Sequence, residues 1–126
     1  MSLRSPLSTV RGLGSARRGT EHWWQQRITA VALVPLGLWL LPSVARILPL
    51  GHDVVVQWIQ RPLNAVLLVL FLAALFHHTH LGLQVVIEDY VEPEWQKIAS
   101  IMLVRFLSVI AGTASVIAVL SIYMGG

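Results

Sequence analysis

Eleven residues separate His78 from Asp89, and Tyr90 follows directly, in a stretch that reads His77-His78-Thr79-His80-Leu81-Gly82-Leu83-Gln84-Val85-Val86-Ile87-Glu88-Asp89-Tyr90. At about 100° per residue, an α-helix brings positions eleven apart back to nearly one face, roughly 16 Å further along its axis. His78 lies in an apolar run long enough to cross a bilayer. An imidazole is therefore aimed into the membrane interior, while a carboxylate and a phenol sit nearer water on the same helix. Ionisable groups at that depth are rare and tend to be functional. The pattern suits a buried cofactor coupled to a site at the membrane surface.

A single histidine in a spanning helix usually serves packing through a hydrogen bond. His77, His78 and His80 within four residues shift that balance, but they cannot all serve one centre. His77 lies about 100° and His80 about 200° around the helix from His78. Gly82, one turn after His78, shares its face and removes a side chain that would obstruct a large planar ligand or a close helix. His77, His80 and Gln84 form a different polar edge, able to hydrogen-bond a partner or meet propionate groups. Zinc needs three or four protein ligands in tetrahedral array, more than one helical face supplies. Haem iron needs one or two axial ligands, with imidazole the common choice, so haem is the better ligand. A second axial ligand at matching depth is missing from this chain. Helix one has no histidine between Arg27 and its outer end, helix three has none, and His22 and His52 lie at the wrong depths. Met102 and Met124 stand near the two ends of helix three. The second ligand is therefore expected from another chain, which makes this protein half of a cofactor site.

The elements that position these groups follow from hydropathy. Of 126 residues, 56% are hydrophobic and only 12% charged, more apolar than a soluble domain of this length requires. Three runs account for the excess: Ile28 to about Leu48, from near Gln57 or Pro62 to Ile87, and Ile98 to Met124. Each reaches the roughly 20 residues that span a bilayer. The expected architecture is an all-α membrane protein with three transmembrane helices at about 27–48, 57–90 and 97–124. They form an anchor domain over 21–126, preceded by a flexible basic segment at 1–20. Pro35 and Pro42 permit a kink in the first helix, and Pro93 closes the loop after the second. Trp23, Trp24 and Trp95 match an interfacial aromatic belt. In the third helix Ser108 with Gly112, Ala111 with Ser115, and Ala114 with Ala118 form small faces that allow close helix approach.

Arg4, Arg11, Arg17, Arg18 and Arg27 precede the first span, against Arg46 and Arg61 in the loop after it. The asymmetry places the N-terminus in the cytoplasm, the second loop beside it and the C-terminus outside. The N-terminal segment lacks the apolar core and cleavage site of a secretory signal and is expected to be retained, although its composition also suits a mitochondrial presequence. The arginines flank a membrane segment and form no stripe on a folded domain, so no nucleic-acid partner is expected. Without cysteine, disulfides, thiolate catalysis and an iron–sulfur cluster held by this chain are excluded.

His78-Thr79-His80-Leu81-Gly82 followed by Asp89-Tyr90 resembles the signature of the small hydrophobic membrane-anchor subunits of succinate dehydrogenase, respiratory complex II. Both intervals match, four residues from histidine to glycine and eleven from histidine to Asp-Tyr. Glu21-His22-Trp23-Trp24-Gln25-Gln26-Arg27-Ile28-Thr29-Ala30 also looks like the family's approach to helix one, and the likeness covers roughly residues 19–124. The resemblance implies that His78 is an axial ligand of haem b, opposite a histidine of the complex's other anchor, its cytochrome b chain. It implies that Tyr90 donates a hydrogen bond to a ubiquinone carbonyl, with Asp89 supporting the site or its proton supply. Arg27 would lie near a haem propionate or the quinone pocket. The partners implied are the cytochrome b anchor, packed with this chain in a mixed helical bundle, and the iron–sulfur and flavoprotein subunits docked on the cytoplasmic face. The setting is a bacterial inner membrane in preference to a mitochondrial one. The glutamine common in the family seven residues after the histidine is Val85 here, with Gln84 one position earlier, so Gln84 carries no assigned role. The chain has no flavin fingerprint and no dicarboxylate site, so alone it is not catalytic. A fumarate reductase anchor and a haem-free, non-catalytic anchor are the alternatives; a two-haem cytochrome would need paired histidines on separate helices.

Overall fold

The computed structural model describes residues 15–125, with side chains from Thr20 onward. Of the basic segment expected at 1–20, residues 1–14 lie outside the described residues. The rest is helical: α1 runs Ser15–Ile47 and so begins well before the expected position near 27. A short 3-10 turn, Leu48–Leu50, leads through Gly51 to α2, His52–Ile59. Gly51 adopts φ 107°, a conformation open to glycine at little steric cost. Then come α3, Pro62–Tyr90, and α4, Glu94–Tyr123. No strand occurs among the described residues. Three segments are long and apolar enough to span a membrane: Thr20–Leu50, Pro62–Tyr90 and Glu94–Tyr123, with mean hydropathies of 2.0, 1.9 and 2.1. The protein is all-α, as the hydropathy pattern requires. At about 1.5 Å per residue, the 33 residues of α1 reach roughly 50 Å, beyond a hydrocarbon core of about 30 Å. Its polar first turns therefore project past the apolar layer.

Of the two starts expected for the second span, Gln57 or Pro62, the structure takes Pro62 in place of the bound at 57, and the cause is local. Proline disfavours the helical conformation in the residue before it, and Arg61 takes φ −75°, ψ 127° ahead of Pro62. Pro62 itself opens α3, where a missing N–H costs no helical bond. Gln57 consequently belongs to the separate helix α2. That short helix braces the end of the bundle away from the start of α1. Trp58 stacks on Trp39 of α1 with ring centroids 5.4 Å apart, Asn64 Nδ2 donates to the Trp58 carbonyl at 3.0 Å, and Gln60 Nε2 donates to the Ile122 carbonyl of α4 at 3.3 Å. At the opposite end, the Pro93 carbonyl accepts from the N–H groups of Gln96 and Lys97, each at 3.1 Å. α4 thus begins at Glu94 instead of 97, and Glu94 favours the positive end of the helix dipole. Pro35 and Pro42 both lie within α1, which stays one continuous helix.

α3 packs against both α1 and α4. The enclosed core is small: Leu40, Ala65, Leu81, Val119 and the hydroxyl-bearing Ser43, which donates to the Trp39 carbonyl at 2.7 Å. Among the described residues no large side chain is fully enclosed, while leucines, valines and isoleucines line the exterior. Lipid removes the hydrophobic drive that would hide them, so helices approach through small residues instead. Gly112 shows this directly, since a Cβ there would stand 3.4 Å from Phe76 Cγ on α3. Ala111, Ala114 and Ala118 are exposed, so the second small face of α4 is open to lipid or another chain.

Candidate functional site

His78 is turned towards α1. Its Nδ1 lies 3.0 Å from the Thr29 hydroxyl oxygen. That oxygen is also 2.9 Å from the Gln25 carbonyl and 3.0 Å from the Gln26 carbonyl. Thr29 arrives there by helical spacing, because His22, Gln26 and Thr29 recur at i, i+4 and i+7 and share one face of α1. Gln26 lies over Gly82, where an added Cβ would come 3.4 Å from Gln26 Nε2. Of the two uses expected for Gly82, close helix approach is the one visible within this chain. On the same polar face, His22 Nε2 and Gln26 Oε1 are buried and lack a hydrogen-bond partner among the described residues.

His77 and His80 face the other way, towards α4, with ring centroids 5.1 Å apart. They line an apolar groove of about 400 Å³ with Phe76, Ser108 and Gly112. They also line a more polar cleft of about 420 Å³ with Glu21, His22, Gln84 and Arg105. His78 lines neither cleft. The polar edge expected from His77, His80 and Gln84 is therefore real but faces a different neighbour. Gln84 Nε2 donates to Glu88 Oε1 one turn on, at 3.0 Å.

The remaining sequence candidates are exposed: Asp89 and Tyr90 at the end of α3, and Arg27 twelve residues into α1, two before Thr29. The Arg27 guanidinium lies 5.0 Å from the centroid of the Trp23 ring, and both side chains are exposed. This is a cation–π contact along one side of α1. Asp89 and Tyr90 close α3, and Tyr90 is 83% exposed. Twelve residues of helix place Tyr90 about 18 Å along the axis from His78. The structure brings Thr29 to His78; it does not gather Arg27, Asp89 or Tyr90 around the imidazole.

Only certain ligands fit such an array. Among the described residues no three metal-binding side chains converge. His78 Nε2 has no hydrogen-bond partner among the described residues, and it is not one of the sealed unpartnered atoms. A single imidazole, anchored through one nitrogen and open at the other, has the donor set of a haem axial ligand. Thr29 is the site residue that the motif did not single out. Its signal was available in the His22, Gln26, Thr29 spacing, a polar stripe on the leading turns of an apolar helix.

Known proteins resemble this chain along most of its length. The profile of the succinate dehydrogenase/fumarate reductase transmembrane subunit family matches residues 1–112. The succinate dehydrogenase hydrophobic membrane anchor subunit of Rickettsia bellii (strain RML369-C) is 33% identical over 116 residues, covering 92% of this chain and 93% of its own. That of Paracoccus denitrificans is 33% identical over 102 residues, covering 81% and 79%. The succinate dehydrogenase membrane anchor subunit of Reclinomonas americana is 35% identical over 96 residues, covering 74% and 80%. No solved structure gives a significant match. A three-span helical bundle with this likeness belongs to the succinate dehydrogenase/fumarate reductase transmembrane subunit family, as a membrane anchor of the succinate dehydrogenase kind.

Proposed function

We propose that this anchor supplies one axial ligand of haem b through His78 and part of a ubiquinone-reduction site through Tyr90 and Asp89. The observation that carries the reading is the state of His78, held at Nδ1 by Thr29 and open at Nε2. The matching ligand comes from the cytochrome b anchor, whose helices would also cover the exposed apolar faces of this chain. The iron–sulfur and flavoprotein subunits dock on the cytoplasmic side of a bacterial inner membrane and deliver electrons taken from succinate.

When bound, haem b would supply a one-electron relay within the membrane. The chain's own residues do simpler things. α1 and α3 hold the His78 ring in place through the Thr29 hydroxyl. Tyr90 donates its phenolic proton in a hydrogen bond to a quinone carbonyl oxygen, which favours negative charge developing there. Asp89, its chain neighbour, orients the phenol or passes protons from the aqueous side. Arg27 stands on the same side of the membrane, where its charge suits a propionate or the quinone pocket. The names of the similar proteins above support succinate oxidation over the fumarate-reducing direction.

The test is a dithionite-reduced minus oxidised visible spectrum of the complex isolated in mild detergent. A b-type α-band that weakens or disappears in His78→Ala is expected. An intact assembly without that band, or one unaltered by the substitution, would reduce His78 to a packing residue of a haem-free anchor.

A further inference from the structure

The Thr29 hydroxyl touches three groups, and only one arrangement of protons satisfies all of them. Two are the Gln25 and Gln26 carbonyl oxygens, at 2.9 and 3.0 Å, which can only accept. The third is His78 Nδ1 at 3.0 Å, which donates or accepts according to tautomer. A hydroxyl carries one proton. If that proton pointed at His78, the hydroxyl oxygen would face two carbonyl oxygens at hydrogen-bond distance with no proton between them. If it points back along α1, both carbonyls are served by one shared bond and the oxygen's lone pairs face the imidazole. Nδ1 must then carry the ring proton and donate.

We infer that Thr29 is a positioning residue that locks His78 in the Nδ1-protonated tautomer and fixes its ring plane, presenting the Nε2 lone pair outward. The role rests on the haem assignment for its purpose, but not for its geometry. The back-bond to the helix carbonyls is an ordinary habit of threonine in apolar helices. Here it orients the hydroxyl as an acceptor aimed across the helix interface. An outward lone pair is what an axial metal ligand requires, and groups that fix a ligating histidine in this way typically change metal retention by roughly 10–100-fold when removed. A neutral hydroxyl acceptor also leaves the imidazole less electron-rich than a carboxylate partner would.

Two measurements on the full chain test this, with Thr29→Val as the isosteric variant lacking a hydroxyl and Thr29→Ser as the conservative one. The first is nitrogen-15 magnetic resonance of histidine-labelled chain in lipid bilayers before haem is added, with His78 assigned by its loss in His78→Ala. A protonated Nδ1 and unprotonated Nε2 are expected in wild type and Thr29→Ser, and a mixture of tautomers in Thr29→Val. The second is transfer of haem from the intact complex to an apo-globin, expected roughly 10–100-fold faster in Thr29→Val and restored towards wild type in Thr29→Ser. A protonated Nε2 in wild type, or a Thr29→Val variant indistinguishable from wild type in the resonance experiment, would overturn the proposal. Wild-type complex without haem would instead overturn the haem assignment, and the resonance result would still decide the role of Thr29.

Discussion

Replacing Tyr90 by phenylalanine isolates the quinone chemistry, because the structure gives the phenol nothing else to do. Tyr90 is 83% exposed at the end of α3, and no described residue hydrogen-bonds its hydroxyl. Losing that oxygen strands no buried partner, so Tyr90→Phe should assemble and unfold like wild type. What is lost is one donor to the quinone. A neutral hydrogen bond contributes about 0.5–1.5 kcal/mol net, and one to a charged group about 1.5–3 kcal/mol. With RT near 0.59 kcal/mol, those ranges correspond to factors of about 2–13 and about 13–160. The lower factor applies to holding the quinone, the upper to charge developing on its carbonyl oxygen during reduction. The assay compares two electron exits in the same membranes: succinate to ubiquinone, and succinate to an artificial dye that accepts electrons before the membrane. We expect kcat/KM for ubiquinone to fall by at least severalfold while dye reduction holds. Parallel loss in both assays, or a ubiquinone rate unchanged within twofold, would refute the placement of quinone at Tyr90.

Two further expectations follow from which way side chains face. His77→Gln and His80→Gln, separately, should leave the reduced b-type band in place, since both rings line the α4 side and not the His78 face; loss of the band comparable to His78→Ala would place the ligand elsewhere. Gly112→Ala should be tolerated, because its Cβ would meet Phe76 at 3.4 Å, whereas the three further carbons of Gly112→Leu must be fitted beside the Phe76 side chain and should destabilise by about 1–3 kcal/mol. Thermal unfolding of the detergent-solubilised complex reads the difference, and equal behaviour of the two variants would mean that α3 and α4 do not meet there.

Much of this protein could be read from its sequence because a bilayer simplifies the problem. Backbone groups in lipid must bond within their own segment, so a long apolar run is a helix almost by necessity. Three runs therefore meant three spans, and helical periodicity alone separated the face of His78 from that of His77 and His80. The break before α3 was also local, written in Arg61-Pro62, although the apolar residues on both sides left Gln57 as an equal candidate for the start. The start of α1 at Ser15 was hidden for the opposite reason: polar turns beyond the membrane carry no hydropathy signal. What one dimension cannot contain is which face meets which neighbour. Thr29 and His78 stand 49 residues apart, and only the packing of α1 on α3 makes them partners. The same holds for Gln26 over Gly82, for Phe76 against Gly112, and for the Trp39–Trp58 stack between α1 and α2. Periodicity specifies the rotation of a residue about its own helix; the tertiary structure decides what lies opposite, and here that decides which nitrogen of His78 is left open.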